Sequence, residues 1–104
     1  MNPPPDDPPD AQTSGAVTRV MKIVNEKGLH ARASAKFVQL VEKHDARVTV
    51  SRNSESVGGD SIMGLMMLGA GIGTSITVKA TGPQAAEVVD ALDRLVSGRF
   101  GEEE

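Results

Sequence analysis

The apolar residues of this chain change their spacing several times, and this pattern limits the fold that the chain can form. Four segments are rich in β-branched residues or alternate apolar with polar side chains, which predicts strands. Three other segments repeat apolar residues every three or four positions or begin with a capping residue, which predicts helices. The predicted strands are 17–24, 47–52, 54–57 and 74–80, and the predicted helices are 31–43, 62–68 and a long third helix opened by Pro83. The order βαββαβα predicts an α+β fold of two layers, in which a four-stranded, mostly antiparallel sheet carries three helices on one face.

The chain has 104 residues, enough for one domain with one small core. Residues 1–15 hold five of the six prolines and three aspartates, with almost nothing to bury, so we predict a disordered tail. A passive extension is favoured there over a polyproline segment that binds a partner. The domain is predicted at 16–98, and 99–104 is predicted to be an acidic C-terminal tail.

Composition excludes several kinds of site. The chain has no cysteine and two histidines, which rules out disulfides and thiolate zinc sites and argues against a multi-histidine metal centre. No apolar run approaches the roughly 18 residues that span a bilayer, and no signal peptide is recognisable, so we expect a cytoplasmic protein without membrane insertion. Residues 16–101 carry 11 basic and 8 acidic residues, which suits an acidic or phosphorylated protein partner. This excess is small and only 2% of residues are aromatic, so nucleic-acid binding is not predicted.

The most informative segment is Gly28-Leu29-His30-Ala31-Arg32, which leads into the first predicted helix. The N–H groups at a helix N-terminus are unpaired and its dipole is positive, so this position can bind an anion. We infer that His30 could carry a phosphoryl group, with the backbone N–H groups of Ala31 and Arg32 and the Arg32 guanidinium around its oxygens. Gly28 would let the chain turn sharply beside the imidazole. The alternative is that His30 only caps the helix and that Arg32 is a solvated charge.

His44 is a weaker candidate for this chemistry. It lies at the predicted end of the first helix, beside Asp45, with no glycine turn before it and no arginine after it at a new helix N-terminus. We interpret it as a surface histidine that complements the negative end of the helix dipole.

The segment from Ser61 to Gly69 is more apolar than one face of a two-turn helix can bury. We therefore expect Met63 and Met66, together with Ile62, to face outward as an adaptable docking surface. An ordinary buried helix, with methionine filling gaps, is the alternative. Ser61 is a good N-cap, which is by itself a sufficient reason for a serine at this position.

Two motifs carry a family resemblance. The segments GLHARASAKF at 28–37 and DSIMGLMMLGAGIG at 60–73, separated by a predicted hairpin and followed by a strand and a long helix, resemble the HPr family. HPr proteins are the histidine-containing phosphocarriers of the phosphoenolpyruvate-dependent phosphotransferase system. The resemblance runs from about residue 16 to 97. It implies the open-faced β-sandwich of that family and a phosphoryl carrier that is not an enzyme, since partner enzymes complete its turnover.

The resemblance also implies roles for individual residues. His30 matches the phosphorylated histidine, whose phosphoryl bond forms at Nδ1, and Arg32 matches the arginine that contacts the phosphoryl group. The implied donor is phospho-enzyme I, and the implied acceptor is an A-type enzyme II component. The resemblance implies no cofactor and no metal, and we expect a monomer because one site must be presented to successive partners.

Ser61 matches the serine that an ATP-dependent kinase phosphorylates in many members of the family, which implies a serine kinase/phosphorylase as a further partner. A phosphoserine there would add negative charge beside Met63 and Met66 and hinder acidic partners. Two residues depart from the family pattern. Ala33 stands where many members have proline, which preserves the helix terminus, and Asp60 stands where a basic residue often precedes the serine.

The sequence leaves three alternatives to a carbohydrate-type carrier. One is a carrier of a nitrogen-regulatory branch, whose acceptor is a regulatory enzyme II protein, although the motif at 61–64 favours the carbohydrate type. Another is a non-catalytic protein-binding module that is regulated through Ser61 and docks through Met63, Leu65 and Met66. A hydrolytic enzyme is disfavoured because no second acid or base lies near His30 in the sequence.

Overall fold

A computed structural model describes residues 16–102, and the predicted order of elements is confirmed within them. Strand β1 spans Val17–Lys22, β2 Arg47–Arg52, β3 Glu55–Gly58 and β4 Ser75–Thr81. Helix α1 spans Ala31–Glu42, α2 Ile62–Met67 and α3 Ala85–Ser97, and a short turn at Arg99–Gly101 follows α3. The tail predicted at 1–15 lies outside the described residues.

The four strands form one antiparallel sheet in the order β1-β4-β2-β3. Strand β4 is central and pairs with β1 on one side and with β2 on the other. The hairpin of β2 and β3 pairs Arg52 with Glu55, so its loop has two residues, and Asn53 in that loop has a φ of 59°. Asparagine tolerates this left-handed conformation better than most residues, which explains its place in the turn.

The three helices pack on one face of the sheet and enclose the core. Alternation along β4 buries Ile76, Val78 and Ala80 against the helices. The core is aliphatic apart from Phe37 and Phe100, as the composition requires. Burying each large side chain stabilises the fold by roughly 1.5–3 kcal/mol. Polar residues face the opposite, open side of the sheet, among them Thr18, Thr49, Ser51, Thr77 and Lys79.

The starts of two helices are set in different ways. Ser61 caps α2 as the sequence predicts, because its Oγ accepts a hydrogen bond of 3.0 Å from the backbone N–H of Gly64. The start of α3 differs from the prediction, which puts Pro83 in the first turn of the helix. The helix begins only after Gln84, since Gln84 is bonded to Asp45 through both its backbone N–H and its side-chain Oε1.

The domain extends further along the chain than the sequence predicts. The sequence places its end at residue 98 and an acidic tail at 99–104. In the structure Phe100 is fully buried, and its carbonyl oxygen accepts a hydrogen bond of 2.6 Å from Nζ of Lys36 on α1. The boundary is therefore corrected to include 99–102, because one buried aromatic side chain holds these residues on the domain.

Candidate functional site

His30 lies at the N-terminus of α1, where the sequence predicts it. Its backbone is extended, with φ of −78° and ψ of −176°, and it occupies the N-cap position. Its carbonyl oxygen accepts the backbone N–H of Ser34 at 2.9 Å, which starts the helical hydrogen bonds. The side chain forms no capping hydrogen bond, so the imidazole itself does not cap the helix.

Gly28 determines the course of the loop before His30. Its φ is +64°, and a Cβ at this position would lie 2.4 Å from the carbonyl oxygen of Ala70. The backbone N–H of Leu29 donates to the same oxygen at 3.0 Å. Glycine alone allows this conformation and this close approach together. The His30 loop is thereby joined to the loop that follows α2.

An open pocket surrounds the His30 side chain, which is 27% exposed. We call it the His30 pocket, and its lining residues are Lys27, His30, Ala31, Arg32, Lys36, Gly101 and Glu102. The cationic side chains of Lys27, Arg32 and Lys36 outnumber the single carboxylate of Glu102. The pocket therefore favours an anionic group near the imidazole.

The first turn of α1 contributes hydrogen-bond donors to this pocket. No acceptor within residues 16–102 takes the backbone N–H groups of Ala31 and Arg32. The Arg32 guanidinium is exposed and forms no ion pair with a described residue. The structure thus brings to one pocket the donors that the sequence predicts around a phosphoryl group on His30.

The sequence does not predict the contact between His30 and the C-terminal end of the domain. His30 Nε2 lies 2.5 Å from Oε2 of Glu102, whose side chain is 12% exposed. The other carboxylate oxygen, Oε1, accepts a hydrogen bond of 3.0 Å from Nδ2 of the buried Asn25. The hydrogen bond with His30 is the main cause that holds the pKa of Glu102 below its ordinary value of 4.5. Glu102 is therefore ionised at neutral pH.

One feature of the sequence could have indicated that this segment is anchored. Phe100 is one of only two aromatic residues in the chain and stands among polar residues and glycines, which is typical of an anchoring side chain. Its burial brings Glu102 to the His30 pocket. The partner of the carboxylate was not predictable, because 72 positions separate the two contacting residues.

Exposed apolar side chains cluster on α2 and on the loop that follows it, directly after the half-buried Ser61. We call them the apolar patch, and they are Ile62, Met63, Met66, Met67 and Ile72. The sequence predicts the first three as outward-facing and misses Met67 and Ile72. Leu65 is fully buried, so the alternative that places it on a docking surface is wrong for this residue.

His44 has a local structural role. Its Nδ1 donates to the carbonyl oxygen of Leu40 at 2.8 Å, which satisfies one of the last carbonyl groups of α1. This contact agrees with the interpretation of His44 as a residue that complements the end of the helix. A wider depression beside it is lined mainly by polar side chains and does not reach His30.

Two further kinds of site are not found in the described part of the chain. Residues 16–102 contain no group of three or more histidine, aspartate or glutamate side chains that could hold a metal ion. None of the helices in that range combines the length and the apolar character needed to cross a bilayer.

Comparison with known proteins gives the family of the chain. Residues 17–97 match the family model described as PTS HPr component phosphorylation site. The chain is 51% identical over 82 residues to the phosphocarrier protein HPr of Cupriavidus necator, a match that covers 79% of this chain and 92% of that protein.

Solved structures show the same likeness. A crystal structure of HPr-C-His from Thermoanaerobacter tengcongensis is similar with a TM-score of 0.81 and 36% identity, over 85% of this chain and 99% of that one. A crystal structure of an HPr dimer from the same organism is similar with a TM-score of 0.67 and 38% identity, over 79% of this chain and 94% of that one. Given the match of the family model across nearly all of the described domain, the chain belongs to the HPr family of phosphocarrier proteins of the phosphotransferase system.

Proposed function

We propose that this chain carries a phosphoryl group on Nδ1 of His30, accepting it from phospho-enzyme I and passing it to an A-type enzyme II component. The His30 pocket is the observation that supports this most, because a partly exposed imidazole meets helix N-terminal N–H groups and three cationic side chains there. Since Nε2 contacts Glu102, Nδ1 is the ring nitrogen left for phosphorus. The chain depends on partner enzymes for both transfers and is not itself an enzyme.

Each group in the pocket has a distinct role in the proposed transfer. The lone pair of His30 Nδ1 forms the bond to phosphorus, while the bond from phosphorus to its donor atom in enzyme I breaks and leaves its electron pair on that atom. The N–H groups of Ala31 and Arg32 and the Arg32 guanidinium donate to the phosphoryl oxygens. Lys27 and Lys36 add positive charge where the dianionic group enters. Neither a metal nor a cofactor is part of this proposal.

The apolar patch is the proposed docking surface for the partners, with Ile62, Met63 and Met66 at its start on α2. The hydrogen bond between Leu29 and Ala70 joins the His30 loop to the loop after α2, so docking there would bring a partner towards the imidazole. Methionine side chains adapt to surfaces of different shape, which suits a carrier with more than one partner. We propose that the chain works as a monomer in the cytoplasm, where it meets each partner in turn.

Ser61 is the proposed regulatory site, modified by a serine kinase/phosphorylase. Its Oγ lies at the start of α2, directly before the apolar patch. A phosphoserine there would carry nearly two negative charges beside Met63, which opposes the docking of an acidic partner. Phosphorylation of Ser61 would therefore slow transfer to His30.

The acceptor can be assigned by reconstitution. The phosphorylated chain is mixed separately with an A-type component of a sugar permease and with a regulatory enzyme II protein of the nitrogen-regulatory branch. We expect the sugar-permease component to become phosphorylated first, because the sequence at 61–64 favours the carbohydrate type.

The central test is an intact-mass measurement at alkaline pH after the chain is mixed with enzyme I, Mg²⁺ and phosphoenolpyruvate. We expect the wild type to gain one acid-labile phosphoryl group and His30→Ala to gain none. His44→Ala is the matched control and should gain the group like the wild type. If a competent enzyme I modifies neither the wild type nor this control, the carrier function is wrong and the protein-binding module is favoured.

A further inference from the structure

The C-terminal end of the described chain is built onto the His30 pocket. Phe100 is fully buried in the core, although its φ of 55° and the φ of 60° at Arg99 lie in the left-handed region that bulky residues avoid. Nζ of Lys36 holds the Phe100 carbonyl oxygen at 2.6 Å. The burial of Phe100 and its hydrogen bond to Lys36 thus stabilise a turn with an unfavourable backbone conformation. This turn places Glu102 in the His30 pocket.

The Glu102 carboxylate is held in one orientation. Oε2 contacts His30 Nε2 at 2.5 Å, and Oε1 accepts from Asn25 Nδ2 at 3.0 Å. Asn25 is itself fixed, because it is buried and its Nδ2 also donates to the carbonyl oxygen of Gly28 at 2.9 Å. The imidazole is therefore held at Nε2 by a carboxylate with its own rigid support.

This contact decides where the proton of the neutral imidazole lies. An ionised carboxylate can only accept hydrogen bonds, so the hydrogen shared with Glu102 must be on Nε2 of His30. Nδ1 then carries the lone pair. When Nδ1 bonds phosphorus the ring gains positive charge, and the carboxylate at Nε2 stabilises that charge. The low pKa of Glu102 agrees with an ionised group at neutral pH.

We propose that Glu102 is a positioning residue for phosphoryl transfer, which keeps the proton of His30 on Nε2, leaves Nδ1 as the nucleophile and stabilises the charge that the phosphorylated ring acquires. The proposal rests on the proposed carrier function. In the step itself the Nδ1–P bond forms, the bond from phosphorus to the donor atom breaks with its electron pair left on the donor, and the Nε2 hydrogen stays in place. No proton has to leave His30 during the transfer.

The test compares Glu102→Ala and Glu102→Gln with the wild type in phosphorylation by enzyme I. Glu42→Gln is the matched control, since it removes an exposed carboxylate from the other end of α1. For phosphorylation by enzyme I we expect kcat to fall about tenfold in Glu102→Ala, with KM unchanged. A loss of this size corresponds to the contribution of one hydrogen bond to a charged group. Glu102→Gln should also lose rate, because an amide oxygen can accept the Nε2 hydrogen but carries no charge.

A spectroscopic readout separates positioning from a merely structural effect. In ¹⁵N-labelled protein the Nε2-bound proton of His30 should be observable and protected from exchange in the wild type and in Glu42→Gln. In Glu102→Ala this protection should be lost while the backbone spectrum of the core stays unchanged.

The outcomes distinguish this proposal from the carrier function. If Glu102→Ala is phosphorylated with the kcat of the wild type while His30→Ala takes no phosphoryl group, the positioning role is overturned and the carrier function stands. A wild-type chain that a competent enzyme I leaves unmodified would overturn both.

Discussion

The backbone N–H of Leu29 donates to the carbonyl oxygen of Ala70 at 3.0 Å, and this hydrogen bond joins the His30 loop to the loop that follows α2. The two loops are 41 positions apart in the chain, yet the geometry of one depends on the other. Gly28 makes the bond possible, because no side chain fits between it and Ala70. A substitution that disturbs this contact should therefore change the conformation of both loops, and with it the position of His30.

Gly28→Ala should lower the free energy of unfolding by about 1–3 kcal/mol, because the added Cβ meets Ala70 and alanine is strained at positive φ. Urea denaturation of both proteins measures this loss. Gly71→Ala is the matched control, since a Cβ there has no neighbour within 4 Å and the φ of Gly71 is not positive. Equal losses in the two variants would contradict the role of the Gly28 contact.

Arg32→Gln should slow phosphorylation of His30 by about 10–100-fold, because a charge-assisted hydrogen bond to the phosphoryl group is lost. Arg32→Lys should retain part of the rate, since it keeps the charge without the planar guanidinium. Single-turnover transfer from phospho-enzyme I measures both. Arg94→Gln, at an exposed position in the last turn of α3, should transfer at the wild-type rate. The role of Arg32 is refuted if its glutamine variant behaves like this control.

Two substitutions at Ser61 should separate its capping role from its proposed regulatory role. Ser61→Ala should cost about 1 kcal/mol of stability, because the hydrogen bond to Gly64 is lost, and should leave phosphorylation of His30 intact. Ser61→Asp should keep the cap and the stability but raise the KM for enzyme I, since it puts a negative charge beside the apolar patch. A Ser61→Asp protein that accepts phosphate at the wild-type rate would count against regulation through this residue.

Met63→Glu should raise the KM for enzyme I about tenfold with little change in stability, because it puts a charge on the exposed apolar surface that is proposed to dock the partner. Val20→Glu is the matched control. Val20 is 64% exposed and Met63 is 69% exposed, but Val20 lies on β1, outside the apolar patch. Steady-state phosphorylation at varied carrier concentration gives KM for each variant. An equal effect of both substitutions would show that charge alone, and not the patch, is responsible.

The stability that Glu102 contributes should depend on pH with a definite sign. Its pKa is lowered in the folded chain, first by the hydrogen bond with His30, so its contribution is present above the ordinary value of 4.5 and is lost as the pH falls through the folded-state value. Thermal unfolding of the wild type and Glu102→Gln across the acid range measures the difference. The wild type should be more stable above 4.5, and the difference should close on acidification. If the difference in stability between the two proteins instead widened in acid, the stabilising role of the Glu102 carboxylate would be contradicted.

The sequence predicts most of the fold because the governing interactions are local. Alternation at Val48 and Val50 indicates β2, helical spacing at Phe37 and Val41 indicates α1, and the α+β order follows from the sequence of such patterns. Even the placement of His30 at a helix N-terminus is a local matter. Residues close in sequence carry these signals, so no knowledge of the tertiary structure is needed.

The parts that the sequence does not predict depend on contacts between distant residues. The start of α3 is shifted by the bonds from Gln84 to Asp45, and the end of the domain is set by the burial of Phe100. Helix α2 has only six residues, too few for its spacing to show that Leu65 is buried while Met67 is exposed. The contact between Glu102 and His30 was not predictable for two reasons. Glu102 lies in a polar segment without a local pattern, and its partner is 72 positions away in the chain.

The turn that buries Phe100 also decides how the protein can be attached to a surface, a label or a fusion partner. Because Glu102 lines the His30 pocket, a group attached at Glu102 itself would lie beside the imidazole and obstruct the approach of other proteins. The start of β1 at Val17 lies about 17 Å along the strand from its end at Lys22, which leads towards His30. A tether attached at Val17 would therefore leave the site open, whereas one attached at Glu102 would not.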